Sequence, residues 1–478
     1  MSPAEIRLYN TLAREKKIFR SLRPGWVSLY SCGPTVYQAA HVGNLKTYLF
    51  VDILKRVLEY NGYRVKHIMN ITDVGHLTSD ADTGVDKVEA AAERERKTAQ
   101  EITKHYADLF KKDLADLNIE MPTKFAWASQ YIRDQIKLVQ TLKKKGYTYK
   151  TDDGIYFDTA KFPEYGKLAK VGVGPQCHSA RDMQARVSHS GGKHNEVDFA
   201  LWKFSHPASG PEGAPARRDE KRQQEWPSPW GVGYPGWHLE CSAISTKELG
   251  QPFDIHTGGE DHIAIHHNNE IAQSEAAFGK PLANYWLHSM FLLVNNTKMA
   301  KSQGNFITLP DLVKQGYDPL VFRFLVITSH YRNKLNFSKP ALDGAQNSLN
   351  KLRELFEQRA HGGRILENRR KAFMLALGDD LNMPEAMKIV WEVAKSDENL
   401  ADKQVTILDF DRVLGLNLKN FRLPIIPHDI INLANQREKA RKNEDWAKSD
   451  ELRQEIETQG YQILDTDSGP TIRKASRG

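Results

Sequence analysis

The fold is decided by a stretch that reads YSCGPTVYQAAHVGN and occupies residues 30–44. A β-prone run, residues 26–31, ends at Gly33-Pro34, and this pair of residues stops strands. Apolar residues then recur at helical spacing through residues 45–60. The pattern therefore predicts a strand that leads through a glycine-containing turn into a helix.

The start of this helix is a candidate phosphate site. Backbone N–H groups at a helix N-terminus attract anions, and Gly43 would let a ligand approach the chain closely. His41 could donate a hydrogen bond to the same phosphate. A histidine and a glycine at this spacing also occur in ordinary surface turns, so on these residues alone both interpretations stay open.

Composition indicates a soluble protein of more than one domain in a reducing compartment. The 478 residues exceed the roughly 100–200 of one domain. Three cysteines are too few for a disulfide framework, and the N-terminus lacks the apolar core of a signal peptide. No run approaches the about 18 apolar residues of a membrane span, so we expect a cytoplasmic protein with no membrane partner. The net charge of +7 suits a polyanionic partner, but also a merely basic protein.

A second β-prone run, residues 65–71, follows the predicted helix. Strand, helix and strand in succession predict a parallel α/β sheet. Ligands bind at the carboxyl ends of such strands, so Thr72 and Asp73 should lie near the same crevice as His41. Ordinary turn chemistry explains a threonine and an aspartate equally well.

Another predicted strand end lies at residues 255–261. Gly259 permits a close approach of a ligand to the backbone. Asp261 could bind a ribose or an ammonium group at the same edge of the sheet. The residues alone do not separate these two roles.

Changes in composition divide the chain into several parts. We predict an α/β domain formed by residues 1–146 and 237–330, with an inserted domain at 147–236. Helix-like spacing predicts a helical bundle at 331–422 and a small terminal domain at 423–478.

Two local expectations accompany this division. Residues 84–112 are polar and rich in Ala, Glu and Lys, which predicts one long solvated helix. Residues 212–226 are charged and without periodicity, which predicts a flexible surface insertion.

Zinc accepts thiolate, imidazole and carboxylate ligands, and four side chains of these types are candidates: Cys32, Cys241, His266 and Glu270. His266 and Glu270 are four residues apart and would share one helix face. His262 and His267 compete with His266, but only His266 has an acidic residue at that offset. A structural zinc is the general alternative. Because Cys32 precedes the turn that carries His41, however, the metal should lie at the mouth of the crevice.

A short segment with Lys298 and Lys301 precedes Gly304 and could form a mobile phosphate clamp. Lysine is a flexible point charge that can stabilise negative charge developing on a phosphate. Two lysines at this spacing are otherwise typical of a solvated surface.

These two motifs, HVGN at 41–44 and KMAKS at 298–302, resemble the HIGH and KMSKS signatures of class I aminoacyl-tRNA synthetases. The similarity is greatest to the cysteinyl-tRNA synthetase family, and its further motifs cover nearly the whole chain: CGPTVY (32–37), GWHLECS (236–242), IHTGG (255–259), HHNNEIAQSE (266–275), KSQGNF (301–306), SHYR (329–332), DDLNMP (379–384) and RKNEDW (441–446). Asn44 replaces the second histidine of HIGH, but phosphate stabilisation needs a donor rather than a titrating group. Ala300 replaces the serine of KMSKS and loses one hydroxyl, while both lysines stay.

The resemblance implies a Rossmann-type catalytic domain with an inserted domain, a helical bundle and a small anticodon-binding domain at 423–478. It also implies a reaction in which L-cysteine and ATP give cysteinyl-adenylate and pyrophosphate. The cysteinyl group would then move to the 3′ end of tRNA(Cys).

The same resemblance implies roles for the candidate residues. One Zn²⁺ per chain would be held by the four ligands named above and would select the substrate thiolate over a serine hydroxyl. Mg²⁺ would accompany ATP. Catalytic stabilisation would be the role of His41, Asn44, Lys298 and Lys301. ATP would be bound by the same four residues together with Gly43, Gly259 and Asp261. Cysteine would be bound by Trp237 and Thr72. Core packing is the alternative for Trp237.

Two other functions remain as hypotheses. An enzyme that passes cysteinyl-adenylate to a small amine, such as the ligase of mycothiol synthesis, would not need the tail from residue 423 onward. A catalytically inactive RNA-binding paralogue would not need both lysines and all four metal ligands.

Overall fold

The computed structural model of the chain describes residues 5–74, 77, 86–169, 192–205, 222–299, 305–421, 427–466 and 469–474. Its strands are β1 (Arg7–Asn10), β2 (Glu15–Ile18), β3 (Trp26–Ser31), β4 (Arg64–Ile71), β5 (Lys124–Trp127), β6 (Thr148–Lys150), β7 (Gly154–Phe157), β8 (Phe199–Phe204), β9 (Gly233–Pro235), β10 (Phe253–Gly259), β11 (Ala283–Ser289), β12 (Leu292–Val294), β13 (Thr297–Lys298), β14 (Leu335–Phe337), β15 (Tyr461–Thr466) and β16 (Gly469–Lys474).

The helices are α1 (Val42–Tyr60), α2 (Lys87–Glu95), α3 (Ala99–Asp116), α4 (Ile132–Lys144), α5 (Trp237–Leu249), α6 (Asp261–Ala264), α7 (His266–Phe278), α8 (Leu309–Lys314), α9 (Pro319–Ile327), α10 (Lys339–Glu354), α11 (Glu367–Gly378), α12 (Met383–Lys395), α13 (Leu400–Leu414), α14 (His428–Lys442) and α15 (Trp446–Thr458). Within the described ranges, no helix combines the length and the apolar character needed to cross a bilayer.

Five strands form a parallel sheet in the order β11-β10-β3-β4-β5. Numbered along the chain, this order is that of a Rossmann fold, whose ligand crevice opens where the order reverses, here between β3 and β10. The carboxyl ends of β3, β4 and β10 therefore bring Cys32, Thr72 and Gly259 to one edge. The structure confirms the predicted α/β class with a parallel sheet.

Helix α1 begins at Val42, three residues earlier than the apolar spacing predicts. The side chain of His41 accepts a hydrogen bond from the backbone N–H of Asn44 and so caps the helix. Leu45, Leu49 and other apolar residues of α1 are buried against the sheet. The cap places the helix start directly at the crevice.

The prediction of one solvated helix at residues 84–112 is wrong. Two helices occupy the described part of this segment, because Arg96 adopts a left-handed conformation (φ 53°) that ends α2. Thr98 and Glu101 then form a capping box that starts α3, a signal that the sequence contains. The helices are also not fully solvated, since residues such as Ala91 and Phe110 are buried.

Residues of the predicted insertion at 147–236 form an antiparallel sheet in the order β6-β7-β8-β9. Buried side chains of this sheet, including Phe157 and Trp202, share a hydrophobic core with α4, α5 and α7. Strand β9 leads directly into α5, so the sheet supports the helix that carries Cys241.

Two other predictions concern this region. Residues 212–221 of the expected surface insertion, like Cys177, lie outside the described residues. Its last five residues are described and contact the helix α2: the Arg222 guanidinium lies 2.5 Å from the Asp86 carboxylate.

The C-terminal region is helical from α9 to α15, apart from β14 and the hairpin β15–β16. Helix α13 lies within the predicted helical bundle, whereas the strand β16 was not expected from the sequence. The fully buried Arg323 of α9 ties this region to α1, because its guanidinium donates to the Asp52 carboxylate (2.6 Å) and to the Leu414 carbonyl (2.6 Å). The limits of the separate domains remain predictions.

Candidate active site and metal cluster

A cavity of about 340 Å³ opens at the crevice between β3 and β10. Most of the candidate residues line it: Cys32, His41, Asn44, Thr72, Trp237, Cys241, Gly259, Asp261 and His266. The fold therefore brings together side chains that lie more than two hundred residues apart in the sequence.

His41 and Asn44 form a reciprocal cap at the cavity wall. The backbone N–H of Asn44 donates to His41 Nδ1 (3.2 Å), and the backbone N–H of His41 donates to Asn44 Oδ1 (3.3 Å). Burial lowers the pKa of His41 to about 4, although the charge of Asp261 opposes the shift. The imidazole is therefore neutral near pH 7. Since Nδ1 accepts, the ring proton is on Nε2, which can donate to a ligand.

Two glycines leave room where a larger residue would not fit. A Cβ atom on Gly43 would lie 2.9 Å from the His41 ring. A Cβ atom on Gly259 would lie 2.3 Å from a carboxylate oxygen of Asp261. The Asp261 side chain is about half exposed (49%) at the start of α6. Both glycines thus allow polar side chains to face the cavity.

The four predicted metal ligands meet at the inner end of the cavity. One ligand atom from each of Cys32, Cys241, His266 and Glu270 lies within 4.8 Å of the others, and all four residues are buried. His266 and Glu270 are one turn apart on α7, and their side chains approach to 3.1 Å. This set of two sulfurs, one nitrogen and one carboxylate oxygen can hold one metal ion.

Burial and neighbouring charges shift the ionisation of these groups. Burial raises the pKa of Cys32 to about 11 and raises that of Cys241 well above its usual value. Burial also acts to raise the pKa of Glu270, but contacts with His256 and His266 overcome it and lower the pKa to about 2. A metal ion would compensate the buried carboxylate and favour the thiolate forms of both cysteines.

A second set of ligand atoms shares two members with the first: Cys32, His256, His267 and Glu270. His267 Nε2 lies 3.3 Å from Cys32 Sγ, and His256 Nε2 lies 2.9 Å from Glu270 Oε2. The sequence favoured His266 over His267 as a metal ligand and did not predict His256 as one. The first set has two sulfurs, which favours zinc, and it lines the cavity through three of its members.

Neighbouring side chains orient the ligands. His238 Nδ1 lies 2.9 Å from His266 Nδ1, so His266 presents its other nitrogen to the metal position. The Trp237 ring centroid lies 4.5 Å from that of His266, and Trp237 lines the cavity. Its role as a wall of the cysteine pocket stays a prediction.

Helix α5 also supplies a buried carboxylate that the sequence analysis missed. Glu240 Oε1 accepts a hydrogen bond from Thr72 Oγ1 (2.6 Å). The signal was available, since Glu240 lies one helical turn from Trp237. Asp73, by contrast, accepts hydrogen bonds from the backbone N–H and the hydroxyl of Ser129, 56 residues further along the chain, so its contact is long-range rather than that of a local turn.

The residues that follow the lysine segment contact the start of α1. Lys298 ends the hairpin β12–β13, whereas Lys301 lies outside the described residues. Downstream, the Val42 N–H donates to the Ile307 carbonyl (2.9 Å), and the rings of His41 and Phe306 meet edge to face. The roles of both lysines stay predictions.

Known proteins are similar to this chain over nearly its full length. Residues 18–347 match the family model for the class I (C) tRNA synthetase catalytic domain. The cysteine–tRNA ligase 1 of Burkholderia lata is 46% identical over 473 residues, covering 98% of this chain and 96% of that protein. The chain belongs to the cysteine–tRNA ligase family. A cysteine–tRNA ligase of Zymomonas mobilis is 38% identical and covers 97% of both proteins.

Solved structures show the same fold at low sequence identity. The methionyl-tRNA synthetase of Mycobacterium tuberculosis in complex with methionyl-adenylate has a TM-score of 0.53 at 14% identity, over 82% of this chain and 90% of that one. LeuRS of Agrobacterium radiobacter K84, in a ternary complex with tRNA and LeuAMS, has a TM-score of 0.55 at 13% identity, over 84% and 85%. This family of aminoacyl-tRNA ligases therefore has the class I fold.

Proposed function

We propose that the chain is a cysteine–tRNA ligase that activates L-cysteine with ATP and transfers the cysteinyl group to the 3′ end of tRNA(Cys). In the first step, a carboxylate oxygen of cysteine attacks the α-phosphate of ATP, and pyrophosphate leaves. In the second, a ribose hydroxyl of the tRNA attacks the cysteinyl carbonyl, and AMP leaves. The observation that carries the proposal is the buried two-sulfur ligand set at the inner end of the cavity.

Zn²⁺ is the metal that this ligand set suits, with one ion per chain. Bound there, it would supply a coordination position for the substrate sulfur and so separate cysteine from serine, whose hydroxyl is a poor zinc ligand. The residues around the position are themselves fixed: Cys32 ends β3, Cys241 lies on α5, and α7 carries the other two ligands. Trp237 and Thr72 would enclose the rest of the amino acid.

The outer half of the cavity is suited to ATP. Negative charge that develops on the α-phosphate can be stabilised by the neutral His41 N–H donor and by the backbone amides that begin α1. Lys298 and Lys301 would approach from the segment next to that helix start, and Mg²⁺ would accompany the phosphates. Asn44 holds the His41 tautomer through the reciprocal cap.

The remaining ATP contacts are assigned to Gly43, Gly259 and Asp261. Neither glycine has a side chain that would fill space at the cavity wall, and the Asp261 side chain is exposed enough to reach a ligand. An aspartate at the switch point of a Rossmann sheet commonly binds a ribose hydroxyl.

The C-terminal half would hold the tRNA. We assign the helical bundle to residues 331–422 and an anticodon-binding domain to 423–478. Trp446 supports this assignment, because its side chain is 57% exposed at the start of α15, next to the Arg441 guanidinium. Exposed aromatic rings beside cations stack on unpaired bases. We also assign the protein to the cytoplasm.

The alternatives are less well supported. A ligase for a small amine acceptor does not account for helices α14 and α15 with their exposed tryptophan. An inactive RNA-binding paralogue does not account for the intact ligand set or for the helix start at His41.

Cysteine-dependent exchange of pyrophosphate into ATP tests the proposal, together with the metal content of the purified protein. We expect one zinc per chain, exchange with cysteine but not with serine, and charging of tRNA(Cys). Exchange without tRNA charging would favour the small-acceptor ligase. Absence of exchange in a zinc-loaded protein would contradict the proposed function.

A further inference from the structure

One wall of the cavity comes from the helices α2 and α3, which carry none of the family motifs named above. Lys87 of α2, with Tyr106 and Phe110 of α3, lines the cavity, and we call these three residues the α2–α3 wall. The rings of Tyr106 and Tyr37 pack against a small buried cluster that includes Ile102. Since Tyr37 lies between β3 and α1, the wall packs directly on the segment that leads into the crevice.

Lys87 brings a positive charge to this wall. It is the only lysine or arginine among the described residues that line the cavity. Its ammonium group lies 5.7 Å from the centre of the Tyr37 ring. The His41 ring in the same cavity is neutral near pH 7, because burial lowers its pKa to about 4. Lys87 therefore supplies a cation where His41 supplies only a neutral donor.

The backbone at Lys87 is fixed by the cap of α2, whose first residue it is. The carboxylate of the buried Asp86 accepts hydrogen bonds from the backbone N–H groups of Val88 (2.8 Å) and Glu89 (3.3 Å). The second oxygen of that carboxylate accepts from the Arg222 guanidinium (2.5 Å). Both oxygens of Asp86 thus hold the start of α2 in place.

Arg222 joins this cap to the metal half of the cavity. Its guanidinium lies over the Tyr234 ring, 3.9 Å from the ring centre, and its Nε lies 3.6 Å from a carboxylate oxygen of Glu89. Tyr234 belongs to β9, which leads into the helix α5 that carries Cys241. The helix start at Lys87 is therefore held to the strand that precedes a metal-ligand helix.

We propose that Lys87 is a binding residue that contacts a phosphate group of a nucleotide substrate. The inference rests on the proposed function and adds one contact to it. An ammonium group on a flexible stem attracts phosphate oxygens as a point charge. Two substrates of the proposed reaction bring a phosphate group to the cavity, namely ATP and the 3′-terminal nucleotide of the tRNA.

The carboxylate of cysteine is another anion that would enter the cavity, but the neighbours of Lys87 favour a nucleotide. Lys87 lies beside the aromatic rings of Tyr37 and Tyr106, which also line the cavity. A cation beside aromatic rings is typical of surfaces that bind nucleotides, because bases stack on the rings while the cation attracts the phosphates.

Lys87→Met tests the proposal, since it removes the charge and keeps the length of the side chain. Loss of a charge-assisted contact should lower kcat/KM for one nucleotide substrate by about 10- to 100-fold. A decrease in kcat/KM for ATP in pyrophosphate exchange would identify ATP as the source of the phosphate. Unchanged exchange with a lower kcat/KM for tRNA(Cys) in charging would identify the tRNA. The KM for cysteine should change less than about threefold, and the zinc content should stay at one per chain.

Three further variants complete the test. Lys87→Arg keeps the charge and should recover most of the loss. Lys87→Gln should behave as Lys87→Met does, which keeps the test available if the methionine variant fails to fold. Lys97→Met is the matched control, because Lys97 is an exposed lysine between α2 and α3 that is not part of the cavity lining, and its kinetics should equal those of the wild type.

Changes of less than about threefold for both ATP and tRNA would overturn the inference. An increase in the KM for cysteine alone would also overturn it, because Lys87 would then contact the carboxylate. Equal losses for all three substrates would mean that Lys87 only supports the fold, which contradicts the proposal as well. Failure of the proposed function is distinguishable, since the wild-type protein would then show no cysteine-dependent exchange.

Discussion

The two halves of the cavity are built in different ways. The metal half takes its side chains from three segments far apart in the sequence, and all of them are buried, with Cys241 1% and Glu270 0% exposed. The phosphate half around His41 comes from four consecutive residues that cap one helix, and Asn44 is exposed. The metal half therefore depends on the topology of the whole sheet, whereas the phosphate half depends on one local motif.

This difference has an electrostatic consequence. In the metal half, buried groups change one another's pKa. His256 and His266, for example, hold the pKa of Glu270 low. In the phosphate half, burial of a single ring dominates the pKa of His41. Loss of one metal ligand should therefore disturb a set of groups, whereas loss of His41 should remove one donor and the side-chain cap of one helix.

The largest effect is expected for Cys241→Ala. This variant should lose its zinc, because a buried set with one thiolate removed no longer provides four ligands. The KM for cysteine in pyrophosphate exchange should rise about a thousandfold or more, since discrimination of ~10⁴ or more depends on such a contact. The KM for ATP should change less than about threefold. Metal analysis and exchange kinetics at varied cysteine and ATP measure both quantities.

Cys177→Ala is the control for removal of a cysteine in general and should keep one zinc per chain. If Cys241→Ala raises the KM for cysteine and the KM for ATP to the same degree, the two halves of the cavity are not independent and the metal does not determine selectivity.

A smaller effect, in kcat rather than in KM for cysteine, is expected for His41→Ala. Removal of one preorganised donor to a developing negative charge typically costs about a hundredfold in rate. The zinc content should not change. Because burial lowers the pKa of His41 to about 4, the ring stays neutral from pH 8 to pH 5.5, and the ratio of wild-type to variant rates should be constant over that range.

The position of Asn44 sharpens this test. Asn44→Ala removes the acceptor for the backbone N–H of His41 but leaves the imidazole in place. The decrease in kcat should therefore be smaller for Asn44→Ala than for His41→Ala. A ratio that falls as the pH drops through about 6.5 would show that His41 titrates as an exposed histidine does.

The same contrast explains what the sequence could predict. Residue types and a spacing of four residues predicted His266 and Glu270 as a pair, and the strand–turn–helix pattern predicted the start of α1. The contacts of His256 and His267 were missed because they arise from the packing of α7 on β10, which spacing along the chain does not report. Glu240 was missed for a related reason, because its partner Thr72 follows a different strand.

The third prediction concerns Lys46, a buried residue of α1. Its ammonium group donates to Ser289 Oγ (3.1 Å), at the last residue of β11, and to the carbonyl of the next residue, Met290 (2.6 Å). Burial lowers its pKa to about 8, although the charge of Glu260 opposes the shift. Between pH 8 and its ordinary pKa of 10.5, the unfolded chain binds the proton more tightly than the folded protein does.

Stability attributable to Lys46 should therefore rise with pH in that window and be constant below it. The free energy of unfolding of wild type minus that of Lys46→Met should be about 2 kcal/mol greater at pH 9.5 than at pH 7.5 in urea titrations. Lys104→Met, an exposed change on α3, should follow the wild type at both pH values. A difference that does not change with pH would mean that the Lys46 side chain is solvated in the folded protein. In that case, the contact between α1 and the end of β11 would not be a buried one.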